Sequence, residues 1–172
     1  MSNYSIKTER LLLREFLPED AHAMYLLNQD PEVIRYTGDP PFESEEDAAT
    51  FLSDYKDYSA NGFGRWAVIR KEDLAFIGWC GLKRHPDQMV DIGFRFYQTE
   101  WGKGYATESA MATLDYGFNE LGLVEIIGRA AKANLASIRV LEKLGMQYWK
   151  DAPCDGIEEA VYFRIGNERR SD

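Results

Sequence analysis

Residues 90–121 read as a strand, a glycine-rich turn and a helix with no spacer between them, and few folds accept that run. Val90, Ile92, Phe94 and Phe96 alternate with Asp91, Gly93 and Arg95, so the two sets face opposite sides of a strand from Val90 to Tyr97. One face is core and the other is free for chemistry. Trp101-Gly102-Lys103-Gly104-Tyr105-Ala106 follows, and then Ala106, Ala110, Leu114, Phe118 and Leu121 recur about every four residues, the mark of an amphipathic helix ending near Gly122. Where such a turn enters a helix, several backbone N–H groups lack an intrahelical partner and lie at the positive end of the dipole. That makes an anion site. Glycines at 102 and 104 let the backbone approach a phosphate closely, and Lys103 adds positive charge. A P-loop would need Ser or Thr where Gly104 stands, and Thr107 replaces the third glycine of a dinucleotide fingerprint.

The rest of the chain alternates strands and helices. Thr8 to Phe16 has the pattern of a strand, and Pro18-Glu19-Asp20 opens a helix running to Asn28 with Ala21, Met24, Tyr25 and Leu27 as its apolar set. Asp39-Pro40-Pro41 breaks the chain. Ser44-Glu45-Glu46-Asp47 then starts a second helix, expected to reach about Tyr58, with acidic residues at its positive end. Trp66 to Ile69, Ala75 to Leu82 and Val90 to Tyr97 form three strands with short connections, which predicts an antiparallel meander. After the glycine turn and its helix come a strand from Val124 to Ala130, a helix capped by Asn134 and carrying Ile138, Leu141 and Leu144, a C-cap at Gly145, and a last strand from Ala160 to Ile165. The sum is a mixed α/β domain, largely antiparallel in its first half.

At 172 residues, without an internal repeat or a long Pro/Ser/Gly linker, the chain is expected to form a single domain over 1–172. Met1-Ser2-Asn3-Tyr4-Ser5 lacks the features of a signal peptide, and no apolar run approaches the roughly 20 residues that span a bilayer, so the expected location is the cytoplasm. Cys80 and Cys154 make neither a disulfide framework nor a metal-ligand cluster, and both read as structural or incidental thiols. A formal charge of −9 argues against nucleic acid and anionic membranes as partners. It suits a cationic partner or simply solubility. The commonest symmetric assembly, a homodimer, is compatible with such a domain.

Trp101 to Glu108 resembles the pyrophosphate loop of the GNAT acetyltransferases, in the form typical of the Rim-type enzymes that acetylate ribosomal-protein N-termini and their relatives. Asn134-Leu135-Ala136-Ser137-Ile138-Arg139-Val140-Leu141-Glu142-Lys143-Leu144-Gly145-Met146 is similar to that family's second cofactor motif, and Thr8-Glu9-Arg10-Leu11-Leu12-Leu13-Arg14 to the first strand of the Rim-type branch. The resemblance covers roughly Thr8 to Ile165. It implies the GNAT acyl-CoA N-acyltransferase fold, a mixed and largely antiparallel sheet flanked by helices, with acetyl-CoA as cosubstrate between splayed strands. Pantetheine is then expected to pair with the backbone of Phe94, Arg95 and Phe96 and to meet Asn134. The pyrophosphate is expected on the amides of Gly102, Lys103, Gly104, Tyr105, Ala106 and Thr107. Two positions depart from the wider superfamily: Trp101 stands where Gln or Arg is common, and Leu141 where many members carry a tyrosine acid.

Acetyl transfer needs a neutral amine, a route for its proton, and stabilisation of the departing thiolate. Because leucine cannot donate a proton, Ser137, one helical turn before Leu141, is the candidate donor, with helix capping as its alternative role. Asp91 is the candidate base. The competing reading makes it a strand carboxylate paired with Arg95 on the same face. Glu43, Glu45 and His85 are further base candidates, and a lone loop His such as His85 is ordinarily just exposed. Tyr36, Phe42, Trp66 and Trp79 either wall an acceptor pocket or belong to the core, and Glu108 serves the helix dipole or packs locally. The function expected is acetyl transfer from acetyl-CoA to a primary amine, either a protein N-terminus or a small cationic amine. The alternative is a catalytically degenerate sensor that only holds acyl-CoA.

Overall fold

The computed structural model describes residues 4–170; the first three residues, part of the stretch read as lacking a signal peptide, lie outside them. In chain order the strands are β1 (Tyr4–Lys7), β2 (Leu11–Arg14), β3 (Arg65–Arg70), β4 (Phe76–Arg84), β5 (Val90–Phe96), β6 (Glu125–Ala131), β7 (Gln147–Asp151) and β8 (Ala160–Gly166). The helices are α1 (Ala21–Gln29), α2 (Pro31–Ile34), α3 (Glu45–Ser53), α4 (Asp57–Asn61), α5 (Tyr105–Asn119), α6 (Leu135–Lys143) and α7 (Asn167–Arg170). All eight strands join one sheet in the order β1-β2-β3-β4-β5-β6-β8-β7. Every pairing is antiparallel except β5 with β6. Among the described residues no helix is long and apolar enough to cross a membrane.

The period-2 pattern of β5 divides the sheet as its sequence predicts. Val90, Ile92 and Phe96 join a core with Leu11, Trp66, Leu82, Leu114 and Ile126 under α5 and α6. The opposite face is covered in part by a second core of Met24, Leu27, Val33, Ala48 and Leu52 from α1 to α3, with Trp79 and Tyr97 packed against it. Asp91, Gly93 and Arg95 therefore look out between two packed layers rather than into bulk water.

Three elements differ from the sequence expectation. The strand expected from Thr8 to Phe16 is confined to β2, and β1 precedes it across a turn in which Thr8 N–H donates to Leu11 O at 2.9 Å. The helix expected to reach Tyr58 stops at Ser53 and resumes as α4, because Tyr55 and Tyr58 turn onto the start of β3. There Tyr55 Oη accepts from Arg65 N–H at 2.8 Å, and Tyr58 Oη accepts from Phe16 N–H at 3.0 Å and donates to Arg65 O. Burial of both phenols raises their pKa values, so they stay neutral struts. Finally, β7 is an edge strand with mostly exposed residues, which gives it no hydrophobic alternation to read.

Candidate active site

The site begins at a gap in the sheet. β5 and β6 share only the pairs Asp91↔Ile127 and Ile92↔Gly128. Beyond them Phe94 and Phe96 stay paired to Cys80 and Gly78 of β4, while Arg129 to Ala131 stay paired to β8. The two strands thus diverge, and their facing edges carry backbone groups without a sheet partner. Such groups need a partner in water or in a ligand. A cavity of about 880 Å³ opens on the Asp91 face and one of about 700 Å³ over the glycine turn and α6. They share Tyr36, Thr37, Phe94, Arg95, Asn134 and Ser137.

Gly102 and Gly104 take φ of +77° and +84°, which only glycine adopts without strain. A side chain at Gly102 would meet nothing within 4 Å, and one at Gly104 only Arg10 Nη2 at 3.3 Å, so the space above these amides is clear. The first helical bond runs from Glu108 N–H to Gly104 O at 3.0 Å, and no side chain caps α5. The amides of Tyr105, Ala106 and Thr107 are thus left for an anion. Lys103 is half exposed and pairs with Glu100 at 3.3 Å, a carboxylate that also holds Arg70 at 2.7 Å. The residues present fit a diphosphate.

Glu108 does more than complement the dipole. Its Oε2 accepts from Thr8 Oγ1 at 2.6 Å and Arg10 N–H at 2.9 Å, and its Oε1 from Arg10 Nε at 2.7 Å. Arg10 in turn donates to Lys103 O at 2.9 Å and lies over the Tyr105 ring at 4.4 Å. Burial opposes ionisation of Glu108, yet Thr8 and Arg10 hold its pKa below the ordinary value. The β1–β2 turn is thereby tied to the glycine loop.

At the start of α6, Asn134 directs one donor and one acceptor of its side chain at Ser137. Its Oδ1 accepts from Ser137 N–H at 3.2 Å, and its Nδ2 donates to Ser137 Oγ at 2.9 Å. The cap is Asn134, and Ser137 does not act as one. Because Oγ accepts from Asn134, its own proton is available to a group in the cavity. Leu141, 2% exposed, lies in the core against Gly128, where an added Cβ would come within 2.8 Å of its Cδ2. A tyrosine would overfill that space.

Asp91 is 4% exposed, and its partners are not the one expected. Arg65 Nη2 lies 3.0 Å from Oδ1, with Arg129 Nη2 at 3.2 Å and His85 Nε2 at 3.3 Å from Oδ2. Arg95 instead donates to Asn28 Oδ1 at 2.9 Å and Asp39 Oδ2 at 2.8 Å. Burial alone would raise the Asp91 pKa, but Arg65, His85 and Arg129 hold it well below the usual carboxylate range. His85, far from being an exposed loop residue, has a side chain only 13% exposed and sits 3.1 Å from Arg129 Nη2. Its place beside Asp91 was hidden because the two meet across a hairpin.

The remaining candidates separate cleanly. Trp66 is core, 2% exposed, with its ring edge-on to Tyr116. Trp79 walls the larger cavity between the guanidiniums of Arg65 and Arg95, at 5.2 and 5.3 Å. Phe42 lines the same cavity, and Tyr36 lines both. Glu43 and Glu45 line neither, and Glu45 pairs with His22 at 3.1 Å. Cys80 is buried in the core, and Cys154 lines the larger cavity with its pKa raised by burial.

The acetyltransferase (GNAT) domain family matches residues 10–147. An uncharacterized N-acetyltransferase of Bacillus subtilis (strain 168), YnaD, is 37% identical over 142 residues, 83% of this chain and 82% of its own. The FsC-acetyl coenzyme A-N(2)-transacetylase of Aspergillus fumigatus is 32% identical over 183 residues, 95% of this chain and 77% of its own. A crystal structure of a GNAT-family acetyltransferase from Bacillus anthracis superposes with a TM-score of 0.81 at 34% identity, covering 95% of this chain and 98% of that one. With the open glycine loop, the diverging central strands and these relatives, the chain belongs to the GNAT acetyltransferases and is an acetyl-CoA-dependent N-acetyltransferase.

Proposed function

We propose that the chain transfers acetyl directly from acetyl-CoA to a primary amine of a small molecule or a protein N-terminus, with the thioester seated where the two cavities join. The observation that carries this reading is the shared wall of Phe94, Arg95, Asn134 and Ser137. Groups entering from opposite cavities reach each other only at such a junction, and holding them there removes much of the entropic barrier. In this reading the amides of Gly102 to Thr107 hold the pyrophosphate, and the free edge of Phe94 to Phe96 pairs with pantetheine.

Ser137 Oγ–H donates to the sulfur as charge develops, and Asn134 Nδ2 fixes the hydroxyl for that task. Tyr36, the other hydroxyl on the shared wall besides Thr37, can act there too. On the amine side Asp91 is a weak proton acceptor because its neighbours keep it ionised. Its charge instead orients His85 through Nε2, 3.3 Å away, which leaves Nδ1 of the neutral ring to take the amine proton.

The test is thiol release from acetyl-CoA with a panel of primary amines, in wild type and Ser137→Ala. The expected result is turnover in the wild type and a kcat about tenfold to a hundredfold lower in the variant, with the acetyl-CoA Kd unchanged. Binding of acetyl-CoA without turnover on any amine would point to a sensor that only holds the cosubstrate.

A further inference from the structure

The floor of the larger cavity carries more buried positive charge than negative. Arg65, Arg95 and Arg129 project from β3, β5 and β6 with side chains 16%, 12% and 14% exposed. The buried carboxylate among them is Asp91, which Arg65 and Arg129 share. The other carboxylate partners stand on the rim: Asp39, 57% exposed, is 2.8 Å from Arg95 Nη2, and Asp155, 70% exposed, is 3.0 Å from Arg129 Nη2. Solvent screens such pairs, so they hold their arginines weakly. A guanidinium withdrawn from water, by contrast, calls for a counter-charge that is withdrawn with it.

The forks are held in place independently of those rim aspartates. A Cβ on Gly93 would lie 2.8 Å from the Arg65 guanidinium carbon, so only glycine in β5 leaves room for that side chain to lie across the sheet. Arg65 and Arg95 both lie over the Trp79 ring, and Arg129 lies 5.8 Å from the Tyr162 ring centroid. Planar guanidinium forks fixed in this way match a carboxylate and repel a cation. Asp39 and Asp155 show the match directly, because each lays a carboxylate oxygen on one of these forks.

We propose that the acceptor carries a carboxylate beside its primary amine, as an amino acid does, and that Arg95 and Arg129 bind it in place of Asp39 and Asp155. Arg95 lies on the wall shared by the two cavities, so a carboxylate held there leaves a neighbouring amine close to Ser137. At this floor a polyamine would meet the arginines with like charge, while Asp54 and Asp57 also line the cavity. The proposal rests on the acetyl-transfer reading above.

The experiment compares kcat/KM for matched acceptors: a set of α-amino acids, their carboxamides, the decarboxylated amines and the corresponding aminoalkyl phosphates. We expect the amino acids to lead by about tenfold to a hundredfold, the range of a charge-assisted contact. Arg95→Gln should erase that preference. Asp39→Asn should lower KM several-fold for the amino acids and leave the carboxamides unchanged. A lead for the decarboxylated amines or carboxamides overturns the proposal, and a lead for the phosphates overturns its commitment to a carboxylate. If no amine is turned over, the transfer reading fails separately, and calorimetry decides: amino acids that bind the CoA-loaded protein no better than their carboxamides overturn the anion site as well.

Discussion

Asp91 joins three strands and the loop after β4 through charge. With Arg65, His85 and Arg129 around it, replacing it by Asn leaves two guanidiniums facing each other without their common counter-charge. Breaking a buried pair on one side costs about 3–5 kcal/mol, so urea unfolding at neutral pH should show a loss of that order for Asp91→Asn. Because the folded-state pKa is depressed, the stabilisation is present above the unfolded-state value of about 3.9 and is lost as pH falls below it. The gap between wild type and variant should therefore narrow below about pH 4. A gap that stays constant with pH would mean that the charge of Asp91 is not its source. The sequence marked Asp91 as a candidate base, with a pair to Arg95 as the competing reading, and that pair fails for a geometric reason. Four residues along a strand span about 13 Å, whereas side chains opposite each other on adjacent strands approach to about 5 Å. The true partners come from β3, β6 and the loop after β4, up to 38 positions away, and spacing along one strand cannot reveal them.

The glycine loop is the element most legible in the sequence, because its chemistry is local: positive φ, uncapped amides and a helix start all follow from adjacent residues. Gly104→Val would force a β-branched residue to φ near +84°. At a cost of about 1–3 kcal/mol for that backbone, acetyl-CoA Kd should rise about tenfold to a hundredfold, with cooperative unfolding retained. An unchanged Kd by calorimetry would move the phosphate site elsewhere. The brace beneath the loop was not legible, since Glu108 reaches back about a hundred residues to Thr8 and Arg10. Glu108→Gln removes the charge from three contacts at once, and the expected outcome is a rise in acetyl-CoA Kd of about tenfold, equivalent to about 1.4 kcal/mol of lost loop order. Turnover at saturating acetyl-CoA should change less than Kd does. Edge strand β7 and turn-separated β1 escaped the sequence reading for a different reason. Neither presents a run of alternating apolar residues long enough to stand out from a loop.

Across the molecule, the meander of β3, β4 and β5, the helices α1, α5 and α6, and the last strand follow from periodicity and caps, because each buries one clean face. The order of the later strands does not, since β8 inserts between β6 and β7 and no local signal encodes that choice. A ligand that fills the gap beside β5 should stabilise the whole fold by mass action. At a hundredfold excess over Kd, CoA adds about 2.7 kcal/mol. That should raise Tm by about 5–10 °C for a chain of this size, and ATP should do much less. Hydrogen exchange should slow at the amides of residues 93–96 on CoA binding.

The two shared pairs between β5 and β6 give the sheet the mechanics of two plates on one short hinge. The first five strands form one plate and β6, β8 and β7 the other, with α5 running between them in sequence. A plate joined at one end can flex at the other without breaking its own ladders. In the proposed placement the donor lies at the open end, where the cosubstrate would act as a splint. An empty protein should then breathe across this line faster than within either plate, and each release of product would return the enzyme to its looser form before the next donor enters.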